Sequence, residues 1–153
     1  MRNLFFATIF LLLVLSCGPE AKRTETTYIL SSELDIPVTL QITSNFSESI
    51  SVTLNEFEVY RGNTRELTSP DRSEDSFAPS QSLEANTLTI IFSNERSSFF
   101  EIDLSNDPVF FSEPINRNPF RHGSYENIGN DEFLYTITQE DFENAMPCDG
   151  PCE

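Results

Sequence analysis

Thr87-Leu88-Thr89-Ile90-Ile91-Phe92 is the strongest β segment in the chain. β-Branched and aromatic side chains suit a pleated surface because they pack well against cross-strand neighbours. Ser93-Asn94-Glu95-Arg96 follows as a turn, after which Phe100, Ile102 and Leu104 alternate with Glu101 and Asp103. The two runs predict a β-hairpin.

The same period of two extends outward. Upstream, Tyr28 to Leu30 is a candidate first strand. Ile36, Val38, Leu40 and Ile42 alternate with Pro37, Thr39 and Gln41, which reads as a half-buried strand. Pro37 has no amide donor, so that strand starts there or lies on an edge. Ser44 to Ser47 form a turn, then Ile50, Val52 and Leu54 alternate with Ser51 and Thr53, and Phe57 and Val59 carry the pattern on. Downstream, Phe133 to Thr138 is a last strand with Phe133, Tyr135 and Ile137 on one face. Thr138-Gln139-Glu140-Asp141 then resembles a capping box and predicts a short helix. Phe142, Ala145 and Met146 form its apolar stripe, read as core packing, and Pro147 ends it. Short strands separated by turns predict a mainly β domain over residues 27–147, an antiparallel β-sandwich closed at one end by that helix, with a barrel as the alternative.

Two connections are long. Residues 61–86 are polar and read as a mobile loop. Residues 105–132 carry Pro108, Pro114 and Pro119 among aromatics, too many to float freely.

The chain has 153 residues and a formal net charge of −16. That charge disfavours nucleic acid, whose binders need a basic face. It also disfavours electrostatic docking on anionic lipid. Met1 and Arg2 start the chain with positive charge, and Leu4 to Leu15 are apolar except for Thr8. Twelve helical residues cover roughly 18 Å, too little for a ~30 Å hydrocarbon core, so residues 1–16 read as a signal peptide.

Val14-Leu15-Ser16-Cys17 ends that segment. It resembles the lipobox of bacterial lipoproteins. The resemblance implies cleavage before Cys17 and acylation of its thiol and new amine, so palmitate-type chains would hold the protein on a membrane. Gly18, rather than Asp, follows the Cys. In that family this implies delivery to the outer membrane of the cell envelope. Residues 17–26 would be the lipidated Cys and a short polar tether. The run Tyr135 to Ala145 is similar to the C-terminal ends of small uncharacterised bacterial lipoproteins, a likeness that brings no activity with it.

Residues 148–153 form a tail in which Cys148 and Cys152 bracket Asp149-Gly150-Pro151. With Cys17 lipidated, these are the two thiols left in an oxidising compartment, and a disulfide is expected.

Signs of catalysis are sparse. His122 is the single histidine, and there is no Gly-x-Ser-x-Gly elbow. Twenty-five acids make chance carboxylate pairs unavoidable, and Glu56, Glu58, Glu101 and Asp103 read as solvated strand faces. Asn127 to Glu132 could bind calcium weakly, but reads first as a polar turn. No metal site, cofactor or enzymatic activity is expected.

The segment from Pro108 to Tyr125 holds Phe110, Phe111, Arg117, Phe120, Arg121, His122 and Tyr125. Aromatics with arginines on a loop have the composition of a binding hot spot. The competing reading is that the aromatics plug the end of the sandwich while the arginines pair with local acids. The chain thus reads as a lipid-anchored envelope protein carrying a non-enzymatic binding or structural module. Its partner would be an envelope protein or glycan. A saccharide- or calcium-binding module is the alternative, and a hydrolase of envelope polymers fits less well.

Overall fold

The computed structural model describes residues 24–44, 48–67, 78–93, 95–102 and 117–152. They build two face-to-face sheets and no closed barrel, which is the expected sandwich. The first sheet contains β1 (Thr24–Ser32), β4 (Val59–Arg61), β5 (Arg65–Leu67), β8 (Glu126–Gly129) and β9 (Glu132–Ile137). Its order is β4-β1-β9-β8, with β5 on the same edge of β1 as β4. The second contains β2 (Val38–Thr43), β3 (Ile50–Leu54), β6 (Thr87–Phe92), β7 (Arg96–Glu101) and β10 (Met146–Pro147), in the order β10-β7-β6-β2-β3. All ladders are antiparallel except β1 with β9, which run parallel.

Alternation places the core. Val38, Leu40 and Ile42 of β2, Leu88, Ile90 and Phe92 of β6, Leu30 of β1, and Tyr135 and Ile137 of β9 are buried and meet in one cluster. The hairpin β6–β7 forms as predicted, with Leu88 opposite Phe100 and Phe92 opposite Arg96. Leu104 lies outside the described residues.

Several boundaries differ from the sequence reading. β1 starts at Thr24, inside the presumed tether, because Thr24 to Thr26 pair with Leu67 to Arg65. β2 starts after Pro37 but is central, flanked by β3 and β6. The period of two through Phe57 and Val59 does not continue β3. Asn55 to Glu58 instead form a corner that carries the chain to the other sheet.

That corner is tightly tied. Glu58 N–H donates to the Asn55 carbonyl at 3.0 Å, and Phe57 N–H to the Ser32 carbonyl at 2.7 Å. The Glu58 carboxylate accepts from the Asn55 amide at 2.9 Å. Phe57 has φ +62° and is 73 % exposed. A bulky L-residue pays for that conformation while its ring packs on little, whereas Asn tolerates it. Phe57→Asn is therefore expected to stabilise the fold by about 1 kcal/mol, raising the melting temperature by roughly 4 °C. Thermal denaturation followed by circular dichroism checks this.

Residues 61–86 are not simply a mobile loop. They contain β5 and a short helix, α1 (Ala78–Leu83), whose Leu83 joins the core. Between β4 and β5 the edge of β1 lacks a strand partner, and α1 fills the gap. The Ser82 hydroxyl accepts from the buried Tyr28 amide at 3.2 Å and donates to the Asn63 carbonyl at 2.7 Å. Asn63 N–H donates to the Ser82 carbonyl at 2.6 Å, and Gly62 N–H to the Tyr28 carbonyl at 2.9 Å. These four hydrogen bonds satisfy backbone groups along the stretch of β1 that no described strand reaches.

The C-terminal helix, α2 (Gln139–Asn144), forms behind Thr138 as expected. The Asp141 carboxylate accepts from the Thr138 amide at 2.8 Å and hydroxyl at 3.1 Å. Its stripe is narrower than predicted. Phe142 packs on the core and Ala145 is buried, but Met146 is 72 % exposed. The helix stops at Asn144, three residues before Pro147, because the chain becomes extended at Ala145 and enters β10.

Candidate functional site

The 105–132 segment divides on folding. Phe110 and Phe111 lie outside the described residues. From Arg117 onward the chain is built into the domain, and the pieces read as a binding loop serve as packing. Phe120 is 6 % exposed and belongs to the core cluster. Arg117 donates to the Asp141 carboxylate at 2.7 Å, the Thr138 hydroxyl at 3.0 Å and the Thr136 carbonyl at 2.6 Å. Its guanidinium also lies 4.7 Å from the centre of the Tyr135 ring. Arg121 is half-buried. His122 opens a single 3-10 turn ending at Ser124, and its Nδ1 shares a 2.8 Å hydrogen bond with the Tyr28 hydroxyl. Tyr125 donates to the Pro119 carbonyl at 2.7 Å. Residues 126–129, expected to be loop, are strand β8.

These side chains bring an aromatic cluster together at one end of the first sheet. Tyr28 stacks on Phe133 at 5.4 Å and meets Tyr125 edge-on at 4.9 Å. His122 meets Phe133 at 4.6 Å. Burial raises the ionisation of the Tyr28, Tyr125 and Tyr135 hydroxyls above the ordinary tyrosine range, and nearby Asp141 adds to the effect at Tyr135. Tyr60 is raised by burial and by Glu84.

An acid whose folded pKa exceeds its unfolded value favours folding below the unfolded value, about 10, and that contribution is lost as pH climbs past it. All four tyrosines are shifted this way. Tyrosinate absorbance at alkaline pH is therefore expected to appear in one cooperative step above about pH 10, coincident with loss of the β signal. A tyrosine titrating near pH 10 in the folded protein would contradict the burial of its hydroxyl.

A concave feature among the described residues lies elsewhere, at the edge of the second sheet. A groove of about 450 Å³ runs between β7 and α2. Its floor is Ile90, Phe92, Phe100 and Tyr135, its rim includes Ser97, Ser98, Glu140 and Asn144, and Phe99 and Met146 stand at its mouth. Arg117 and Asp141 close one wall as an ion pair. The volume is in the range of small-ligand and peptide sites. Sequence reasoning missed this groove, although Phe99 carried a signal. In the alternation that buries Phe100 and Ile102, Phe99 falls on the polar face with Glu101, and it is 60 % exposed.

Residues 127–132, the weak calcium candidate, form the turn of the β8–β9 hairpin. Asn130 and Asp131 both have positive φ, as a tight two-residue hairpin turn requires. Glu132 is engaged by Arg61 at 2.7 Å. Cys148 and Cys152 are bridged, with Cα atoms 5.4 Å apart. Cys148 N–H donates to the Glu95 carbonyl at 3.0 Å, so the tail is fastened to the β6–β7 turn directly after β10. Cys17 lies outside the described residues.

Comparison of the chain with protein-family models, with curated proteins and with solved structures found no match.

Proposed function

We propose that the chain is a lipid-anchored protein of the cell envelope, delivered to the outer membrane, whose sandwich captures a partner in the groove between β7 and α2 without catalysis. The groove carries the binding half of this reading. It offers an apolar floor with a polar rim at a place where no described strand covers the sheet edge. Its two acids do not have the arrangement of a glycosidase. Glu140 and Asp141 are neighbours on one helical turn, and Asp141 is held by Arg117 and Thr138, so they do not flank a substrate from two sides.

The lipobox carries the anchoring half. Only Gly18 to Arg23 separate Cys17 from β1, a reach of at most about 20 Å. The domain would sit against the bilayer, where an acidic surface gains little from lipid headgroups and the acyl chains supply the attachment.

Two measurements test the reading. Radiolabelled palmitate should enter the wild-type chain but not Cys17→Ser, which should leave the membrane fraction. Equal labelling of the two would refute the anchor. A photoreactive residue at position 99 should crosslink a partner in intact cells, and Ser98→Trp, which fills the groove, should abolish that adduct. An adduct indifferent to Ser98→Trp would remove the groove. A second reading, saccharide binding, uses the same cavity, where the Phe99 ring shares the lining with Ser97, Glu140 and Asn144. A glycan that raises the melting temperature would favour it.

A further inference from the structure

We infer that the occupant of this groove is an extended peptide that adds a strand to the stretch of the β7 edge that no described strand covers, with apolar side chains turned into the groove and a lysine or arginine beside Glu101 and Glu140. The inference rests on the groove being the binding surface proposed above, and it names the chemistry of what binds.

The argument starts from the parity of the β6–β7 ladder. Ile102 N–H donates to the Asn86 carbonyl at 3.0 Å, and Leu88 faces Phe100 two residues back along each strand. In an antiparallel pair the bonded positions alternate, so residues 96, 98, 100 and 102 spend their backbone groups on β6. The N–H and C=O of residues 97, 99 and 101 point the other way, out of the sheet. β10 occupies that lane only at its start, with Met146 opposite Ser97 and Pro147 opposite Arg96. Preceding residues leave the lane, because the chain at Ala145 comes from α2. Phe99 and Glu101 therefore present two donors and two acceptors at an edge that no described strand covers. An uncovered edge of this kind is a template for a further strand.

The side chains define what that strand would carry. Successive residues of a strand alternate between faces. On the inner face an added strand would lie over the half-buried Phe100, with Ile90, Phe92 and Tyr135 buried beneath it, which favours an apolar side chain. On the outer face it would lie beside the exposed Phe99 ring. The charge of the lane is negative. Arg117 is committed to Asp141, Thr138 and Thr136, and Arg96 to the carbonyls of Glu143 and Ala145. Glu140 on the rim and Glu101 at the far rung have no ion pair among the described residues and are exposed. A cationic residue in the peptide would neutralise them, whereas an anionic one would be repelled.

The test uses the full chain in detergent micelles and a fluorescein-labelled octapeptide of alternating Lys and Val, acetylated and amidated. Two control peptides accompany it: alternating Glu and Val, and the Lys-Val sequence N-methylated at every amide, which keeps charge and side chains but cannot pair with an edge. Saturable binding is expected for the Lys-Val peptide, with at least about tenfold weaker binding of the N-methylated form and none of the Glu form. Amide exchange should slow in the segment covering residues 98–101. Glu101→Gln combined with Glu140→Gln should weaken binding roughly fivefold. Equal binding of the N-methylated peptide, indifference to peptide charge, or unchanged exchange at residues 98–101 would each overturn the proposal. So would absence of saturable binding at about 1 mM peptide, the weak end of specific association. If the peptide fails but Ser98→Trp still abolishes the crosslink from position 99, the groove reading stands with an occupant of different chemistry.

Discussion

Gly62→Ala is expected to lower the melting temperature by more than ten degrees. A Cβ at position 62 would lie 2.6 Å from the Ser82 carbonyl oxygen, 2.7 Å from its hydroxyl and 2.8 Å from its carbonyl carbon. Two of those atoms are backbone, so no rotamer change relieves the contact. α1 would have to retreat, and the retreat would break the Asn63 bond to the Ser82 carbonyl and both bonds of the Ser82 hydroxyl. The buried Tyr28 amide would then have no acceptor. Overpacking combined with an orphaned buried donor is worth about 3–4 kcal/mol, which in a domain of this size is a shift of well over 10 °C. Adding Ser82→Ala should not rescue the variant, because the carbonyl contact remains. Thermal and urea denaturation of the single and double variants decide this. An unchanged midpoint for Gly62→Ala would mean that α1 does not close the gap between β4 and β5.

Arg117→Ala should cost about 3 kcal/mol, the next largest effect. The guanidinium joins two elements, reaching β9 through the Thr136 carbonyl and α2 through Asp141 while covering the Tyr135 ring. Truncation leaves the Asp141 carboxylate, which is 13 % exposed, with Thr138 and Tyr135 as its donors. Breaking a fully buried pair costs 3–5 kcal/mol. The side chain of Arg117 is 34 % exposed, so solvent screening puts this case at the low end. Arg117→Lys keeps the charge but has no planar fork for two acceptors at once, and should lose about half as much. A double-mutant cycle with Asp141→Asn isolates the pair, and coupling below about 0.5 kcal/mol would show that Arg117 acts through its other contacts.

The two large effects differ in how far the sequence foretold them. Arg117 was visible as one of few basic residues, set among aromatics on a long loop. A loop of arginine and aromatics has the same composition whether it binds a partner or plugs a sandwich end. Only the positions of Thr136, Thr138 and Asp141 separate the two outcomes. Gly62 and Ser82 carried no signal. β5 is three residues long and polar, and α1 reads Ala-Pro-Ser-Gln-Ser-Leu, without the apolar spacing of a helix. Both elements exist because β1 has an edge to satisfy, which is a tertiary demand.

Strand faces were legible because period two reports which side is wet. Strand partners were not. The alternation through Leu54, Phe57 and Val59 crosses between sheets unannounced, since each sheet has its own inner face. The groove was the least legible feature. Its walls come from residues about forty apart, and Phe99, an aromatic out of phase with its strand, was the one local mark of it.

The parallel pairing of β1 with β9 sets an order of events. β1 is the first of the described strands to be made, and it lies in the middle of its sheet. Six register positions link it to β9, more than a hundred residues later, from Thr27 with Glu132 to Ser32 with Ile137. Closing so long a loop is slow and costs entropy before any contact repays it. Until residue 137 is available, β1 is held, among the described elements, on one edge alone, by the short strands β4 and β5 and by α1. In the second sheet β2 with β3 and β6 with β7 are pairs of consecutive strands, so their pairing has no such dependence. β1 therefore cannot lock into its final place in the sheet before β9 has been made.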